Sequence, residues 1–241
     1  MIVVKPQVLV PEGQLDRGVL RRLERYARVC YKSEDRMGEG GDPDFLRSKV
    51  ELGHESIIEH EKVTVMFVVD RGVTHEIVRH RIASYSQEST RYCNYSRDKF
   101  GNEITVIEPF FFSGESYRLW LEAAQAAERA YLALLGSGRS AQEARSVLPN
   151  SLKSEIVVTY NLREWRHFFR LRCAAASHPQ MRQAAIPLLL LFRQRLPEIF
   201  SDIPYDVSFP AEHYAKVLLT DELFNLLPQP RGNNSGGPEE V

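Results

Sequence analysis

"KVTVMFVVDRGVTHEIVRHRIASYSQESTR" (62–91) sets a strand, a helix and a polar segment in direct succession. Residues 62–70 are short, apolar and β-branched, which predicts a strand covered on both faces. From Gly72 to His80 the pattern turns helical, and this helix delivers the chain to Arg79, His80 and Arg81. Cations at a helix C-terminus complement its dipole, yet three in a row repel one another unless an anion lies between them. Ser84, Ser86, Ser89 and Thr90 follow, closed by Arg91. Guanidinium forks among hydroxyls suit phosphate. A solvated basic turn is the competing reading of this segment alone.

Working outward, "EIVVTYNL" (155–162) predicts a second strand, and "MIVVKPQVLV" (1–10) and residues 104–108 predict shorter ones. Leu15, Val19, Leu23, Tyr26, Ala27 and Cys30 recur at helical spacing over residues 14–30. Asp42 and Pro43 form a cap-and-proline start for a helix running to Gly53. Trp120, Ala123, Ala124, Ala127, Ala130, Tyr131 and Leu134 draw one apolar stripe along a helix over 116–135. Ser140 and Glu143 make a capping box after it. "REWRHFFRLRCAA" (163–175) predicts a helix, and residues 179–200 a longer one interrupted at Pro187. Mixed strands and helices without a repeat predict a single α/β domain over residues 1–228. The remainder, 229–241, is low in complexity and expected to be disordered.

Composition narrows the possible functions. The 241 residues are 43% hydrophobic and 26% charged, ordinary for a globular protein, with a net charge of −1. A general nucleic-acid coat would be broadly basic, so any polyanion site must be a local patch. Only seven of the 31 basic residues are lysine. Arginine offers the planar fork that grips phosphate in two places. Cys30, Cys93 and Cys173 are far apart with no CxxC pair, which points to a reducing, cytoplasmic setting without disulfides. The longest apolar run, "AAIPLLLLF" (184–192), is far short of the ~20 residues a membrane span needs.

Several motifs fail on context. "GSGRSA" (136–141) matches the form of a dinucleotide fingerprint, but it follows a predicted helix instead of a strand. His75 and His80 are five apart and His54 and His60 six apart, neither matching the four-residue spacing of a helical metal pair, so no metal site is expected. Ser89 as a nucleophile would need a base that its arginine-rich surroundings do not supply. Arginine also lowers the pKa of a nearby thiol, which keeps Cys93 in view. Tyr85, Tyr92 and Tyr95 among arginines would suit stacking on single-stranded nucleic acid. Arg145, Arg163 and Arg172, which flank other predicted element ends, favour a ligand with several anionic groups.

"RHRIASYSQESTR" (79–91) resembles the signature of the flavin-dependent thymidylate synthases, in which Arg-His-Arg is followed, after seven intervening residues, by Ser and then by Arg two further on. "GHESIIEH" (53–60), "EARSVLP" (143–149) and "YNLREWRHFFRLR" (160–172) resemble further blocks of that family, in the family's order, over about residues 50–185. The resemblance implies that family's α/β fold, a single domain with a small mixed or antiparallel sheet flanked by helices. It implies reductive methylation of dUMP to dTMP, with methylenetetrahydrofolate giving the one-carbon unit, FAD carrying hydride and NADPH reducing the flavin. A homotetramer with sites between subunits is implied too. No nucleic-acid or membrane partner is expected. A flavoprotein oxidoreductase that does not methylate is the alternative on the same scaffold.

Carried over by position, Ser56, Arg79, His80, Arg81, Gln87, Asn161, Leu162, Arg163 and His167 would bind FAD. Glu76, Arg79, Gln87, Glu88, Ser89, Thr90, Arg91, Arg145 and Arg172 would bind dUMP. Arg172 resembles the catalytic residue that faces the uracil ring, where a guanidinium would stabilise negative charge and make C5 more nucleophilic. Glu76 stands where the family commonly carries Gln, so a neutral donor becomes an anion.

Overall fold

The structure, a computed structural model, describes residues 1–38, 42–97 and 100–222. In chain order its elements are β1 (Ile2–Val4), β2 (Gln7–Val10), α1 (Gly18–Tyr31), α2 (Pro43–Glu51), β3 (Lys62–Asp70) and α3 (Arg71–Ile77). There follow β4 (Ala83–Gln87), β5 (Thr105–Ile107), α4 (Gly114–Gly136), α5 (Ala141–Ala144), β6 (Lys153–Asn161) and α6 (Leu162–Arg172). α7 (Pro179–Arg195), α8 (Pro197–Phe200) and β7 (Lys216–Leu219) complete the order. The expected tail, 229–241, lies outside the described residues.

Five strands form one mixed sheet in the order β4-β6-β3-β2-β7. All neighbours in it are antiparallel except β2 and β7, which run parallel. The central pairing is the longest, from Lys62 opposite Asn161 to Asp70 opposite Lys153. β1 and β5 pair in parallel as a separate two-stranded sheet. The predicted N-terminal strand is therefore two strands, split at Lys5 and Pro6, because a proline ring has no N–H to give a ladder.

One face of the sheet carries the main core. Val8, Val10, Val63, Val65, Phe67, Ile156, Val158 and Tyr160 meet helical residues such as Leu23, Leu46, Trp165, Phe168 and Phe192. Trp165 fixes α6 on this face: its indole donates to the Val63 carbonyl at 3.0 Å, and its ring lies 5.5 Å from Phe169. Burying a side chain of this size contributes about 1.5–3 kcal/mol, so the aromatic group is the main anchor of the helix that bears Arg172. Leu9, Met66 and Val68 are buried on the opposite face, which accounts for the unbroken apolar run of β3.

Three boundaries differ from the sequence expectation. α1 begins at Gly18, not 14, because Glu12–Leu15 closes a 3-10 turn first. Pro187 does not interrupt α7. It removes only the bond to the Gln183 carbonyl, which accepts from Ala215 N at 2.8 Å instead and ties the approach of β7 to the helix. The chain breaks later, between Leu196 and Pro197. On α4 only Ala124 and Tyr131 of the expected stripe are buried, while Ala123 and Ala130 are exposed. Gly136 ends α4 and Gly138 turns at φ +89, so "GSGRSA" joins two helices and cradles no dinucleotide there. No helix among the described residues is long and apolar enough to cross a membrane.

Candidate active site

Two capped helices place the central side chains. Asp70, at the end of β3, accepts from Val73 N at 2.7 Å and starts α3. Asn161, at the end of β6, accepts from Glu164 N at 2.8 Å and starts α6. Each cap satisfies a backbone donor that a helix start leaves unpaired. α6 then carries Glu164, Phe168 and Arg172 at successive i+4 steps, on one face. His80, just past the end of α3, lies against that face, its ring 5.1 Å from Phe168 and 5.3 Å from His167.

His80 is buried and both its ring nitrogens are taken. Arg172 Nε lies 3.2 Å from Nε2, and Glu164 Oε1 lies 3.0 Å from Nδ1. A guanidinium only donates, so Nε2 accepts and the proton sits on Nδ1, donated to Glu164. Burial, followed by the charges of Arg172 and His167, pushes the His80 pKa down to about 4. The contact with Glu164 is therefore a hydrogen bond from a neutral imidazole, not an ion pair. Burial also holds the Glu164 carboxyl above its usual range. Beyond His80, Arg172 Nη1 reaches Glu76 Oε2 at 2.6 Å and Nη2 reaches the Glu76 carbonyl at 3.0 Å. The ligating atoms of His80, Glu164 and His167 lie within 4.8 Å of one another, but the imidazole is already committed at both nitrogens.

A second cluster follows β4. Glu88 N donates to the Glu155 carbonyl at 2.8 Å. The Glu88 side chain accepts from Lys153 Nζ at 2.9 Å and from Tyr95 Oη at 2.8 Å. Burial would lower the pKa of Lys153, but Glu88 and Glu155 outweigh it and hold the ammonium above its usual value. Glu88 is thus engaged within the protein, next to Ser89, Thr90 and Arg91. Arg145 Nη1 reaches Thr90 Oγ1 at 3.4 Å, so two segments far apart in sequence converge here. Arg79, Arg81, Arg91 and Arg145 are exposed, and none has a carboxylate partner among the described residues.

The remaining predicted residues divide. Gln87 donates to Thr74 Oγ1 at 2.9 Å and Ser154 Oγ at 3.2 Å, bracing β4 between α3 and β6. Ser56 is exposed on a 3-10 segment, Glu55–His60. Arg163 comes to the same segment through Glu59 and, at 3.6 Å, Glu55. Leu162 is fully buried in the core, so only its backbone is left to meet a cofactor. Two of the three tyrosines proposed for stacking are withdrawn: Tyr95 is 4% exposed, and Tyr85 Oη bonds to Ile77 O and Tyr160 Oη. Tyr92 alone is open, at 78% exposure.

Sequence reasoning missed Glu164 and Lys153. The i, i+8 spacing of Glu164 and Arg172 on a predicted helix was a usable signal for the first. Lys153 becomes visible only through strand pairing. Of the cavities among the described residues, one of about 450 Å³ lies beside Phe110 and His213 and one of about 380 Å³ beside Phe111 and His178. Of the predicted site residues only Glu76 lines either one.

For FAD, the donor set fits: unpaired guanidiniums at Arg79 and Arg81 suit a pyrophosphate, and Ser56, Arg163 and His167 offer polar contacts. The fold and this geometry define an α/β protein with a group of exposed arginines, Arg79, Arg81, Arg91 and Arg145. A family model described as "Thymidylate synthase complementing protein" matches residues 16–198. A flavin-dependent thymidylate synthase from Geobacter sulfurreducens is 38% identical over 184 residues, 73% of this chain and 78% of the relative. One from Corynebacterium aurimucosum is 34% identical over 213 residues, 80% of this chain and 82% of the relative. The crystal structure of a UMP/dUMP methylase, PolB from Streptomyces cacaoi, bound with 5-Br dUMP, superposes with a TM-score of 0.70 at 21% identity. It covers 83% of this chain and 96% of that one, a likeness of fold. This chain belongs to the flavin-dependent thymidylate synthase family.

Proposed function

We propose that this chain methylates dUMP to dTMP, with methylenetetrahydrofolate as one-carbon donor and NADPH as reductant of bound FAD. The observation that carries this reading is the convergence at Arg172, which contacts Glu76 across 96 residues of sequence and His80 across 92. Two segments far apart in sequence, the end of α3 and the end of α6, thus meet where the uracil would sit.

The roles follow from charge and reach. Ser89, Arg91 and Arg145 bind the dUMP phosphate through charge-assisted hydrogen bonds. Arg172 presents its guanidinium to the pyrimidine edge, stabilising negative charge as C5 becomes the nucleophile. Ser56, Arg79, Arg81, Asn161, Arg163 and His167 hold FAD, together with Gln87 and the backbone of Leu162, and His80 supports them from beneath. When bound, the flavin supplies hydride.

A homotetramer completes the site by setting the Arg172 cluster of one protomer beside the Thr90–Arg145 cluster of its partner. Leu119, Ala123, Ala126, Ala130 and Ala133 on α4 are exposed at alternating four- and three-residue steps, which suits helix-to-helix contact between copies. The activity belongs in the cytoplasm, in keeping with three cysteines that form no disulfide among the described residues.

Purified chain should be yellow with oxidised flavin and should form dTMP from dUMP, methylenetetrahydrofolate and NADPH. A yellow protein that oxidises NADPH without forming dTMP would replace this reading with a non-methylating flavoprotein. A colourless protein whose nucleic-acid binding falls steeply with salt would end it.

A further inference from the structure

A guanidinium that must meet developing charge needs something to hold it, and here the support is visible. Arg172 Nε rests on His80 Nε2, and that nitrogen accepts only in the tautomer whose proton is on Nδ1. What selects this tautomer is Glu164, whose Oε1 lies 3.0 Å from Nδ1. Glu164 is itself seated in the first turn of α6, with its backbone N–H on the Asn161 cap. Phe168 packs against the imidazole from the same helix face.

We propose that Glu164 is a positioning residue for the thymidylate-forming reaction: it fixes the tautomer of His80, so that His80 accepts from Arg172 Nε and holds the guanidinium in place for the pyrimidine edge. The proposal rests on the reading of Arg172 given above. His80 then acts from behind the reacting centre, with both nitrogens spent inside the protein. The chain of contacts is directional: Glu164 accepts from Nδ1, Nε2 accepts from Arg172 Nε, and the two terminal nitrogens of Arg172 donate to Glu76. Without an acceptor at position 164, the imidazole is free to carry its proton on Nε2. That form would confront Arg172 Nε donor to donor and turn the guanidinium away from its present aim.

The role asks for an acceptor, not a charge. Glu164→Gln keeps an amide oxygen at the same reach, whereas Glu164→Ala leaves Nδ1 without a partner. The groups facing the imidazole are Arg172, His167, Tyr160 and Glu164, and none but Glu164 supplies an acceptor at Nδ1.

The test uses the flavin-loaded enzyme with histidine labelled at both ring nitrogens. The seven histidines give few signals, and His80→Gln identifies the one of interest. Nitrogen NMR should report a neutral Nδ1–H tautomer at His80 in the wild type and in Glu164→Gln. In Glu164→Ala the signal should move to the Nε2–H form or to an average of the two. Turnover of dUMP should fall by about tenfold in Glu164→Ala with flavin content kept, a misplacement effect, and Glu164→Gln should restore most of that loss. A wild-type His80 carrying its proton on Nε2 would overturn the proposal. So would a Glu164→Gln variant as impaired as Glu164→Ala, which would mean that charge is what matters. Should Glu164→Ala not fold, the wild-type tautomer and the Glu164→Gln turnover still decide. Should the wild type form no dTMP, the reaction assignment falls, while the tautomer measurement still reads the Glu164–His80 contact.

Discussion

The two ends of the proposed site are built on opposite plans. At Arg172 the side chains are already partnered: Arg172 donates to Glu76 and His80, and His80 bonds Glu164, before any ligand arrives. At Arg91 and Arg145 the cations stand exposed, and the order lies one layer behind them, where Lys153 and Tyr95 clamp Glu88. The first plan suits a group that must meet charge as it develops, because a preorganised dipole costs no reorganisation during reaction. The second suits capture of a phosphate that brings full charge with it. Removing a residue at the first end should therefore depress turnover, and at the second end affinity.

The largest effect expected is at Arg172. Arg172→Ala should lower kcat by about a hundredfold or more, the scale of losing a donor aimed at transition-state charge. Flavin content, read from the visible spectrum, should change little, because Arg172 is not among the residues proposed to hold FAD. Near-normal turnover would show that the pre-partnered cluster is structural.

Arg145→Ala should show the contrary pattern. Losing one charge-assisted hydrogen bond of roughly 1.5–3 kcal/mol should raise the KM for dUMP about tenfold to a hundredfold with kcat nearly kept. Steady-state kinetics at fixed folate and NADPH would check it. A fall in kcat with KM unchanged would merge the two ends into one function.

Glu76→Gln sharpens the comparison. The carboxylate of Glu76 holds Arg172 Nη1 at 2.6 Å with both side chains partly exposed, so the pyrimidine must compete with it for the guanidinium. An amide competes less. A half-exposed ion pair of this kind is worth under about 1 kcal/mol, so the KM for dUMP should fall by about threefold. An increase would show that Glu76 helps to bind the substrate directly.

How much of this was legible in the sequence differs from element to element. β3, β6 and α6 could be read because their apolar periods are long and their ends carry caps. The motif blocks brought Arg172, His80 and Glu76 into one list. The break at Pro6 and the continuity through Pro187 were not legible, since each depends on what takes over a lost hydrogen bond: a second sheet in one case, Ala215 N in the other. The anchoring of Glu88 was hidden for a similar reason. Its partner Lys153 is 65 residues away and comes near only through strand pairing. Ala123 and Ala130 fit a core stripe by spacing, yet α4 lies at the margin of the protomer, where spacing alone does not say which surface covers a helix.

The smallest expected effect concerns acid stability, and it separates the two ends again. The imidazole of His80 titrates at about 4 in the folded chain against 6.5 ordinarily, because burial and then the charges of Arg172 and His167 disfavour its protonated form. Between those values the unfolded chain binds more protons than the folded one, so this group's stabilisation is whole above pH 6.5 and drains away as the pH falls toward 4. Glu164 works against it: its raised pKa lets the folded chain hold a proton more readily, a contribution lost as the pH rises through that value. His80→Gln should therefore lose the first slope and keep the second, which flattens the acid limb of stability across that window. Urea unfolding midpoints measured across it would check the sign. No such flattening should follow Arg145→Ala, because Arg145 sits in the open half and has no buried base to neutralise. An acid limb unchanged by His80→Gln would mean that the imidazole is charged in the folded chain, and the hydrogen-bond direction from His80 to Glu164 would then have to be read as an ion pair.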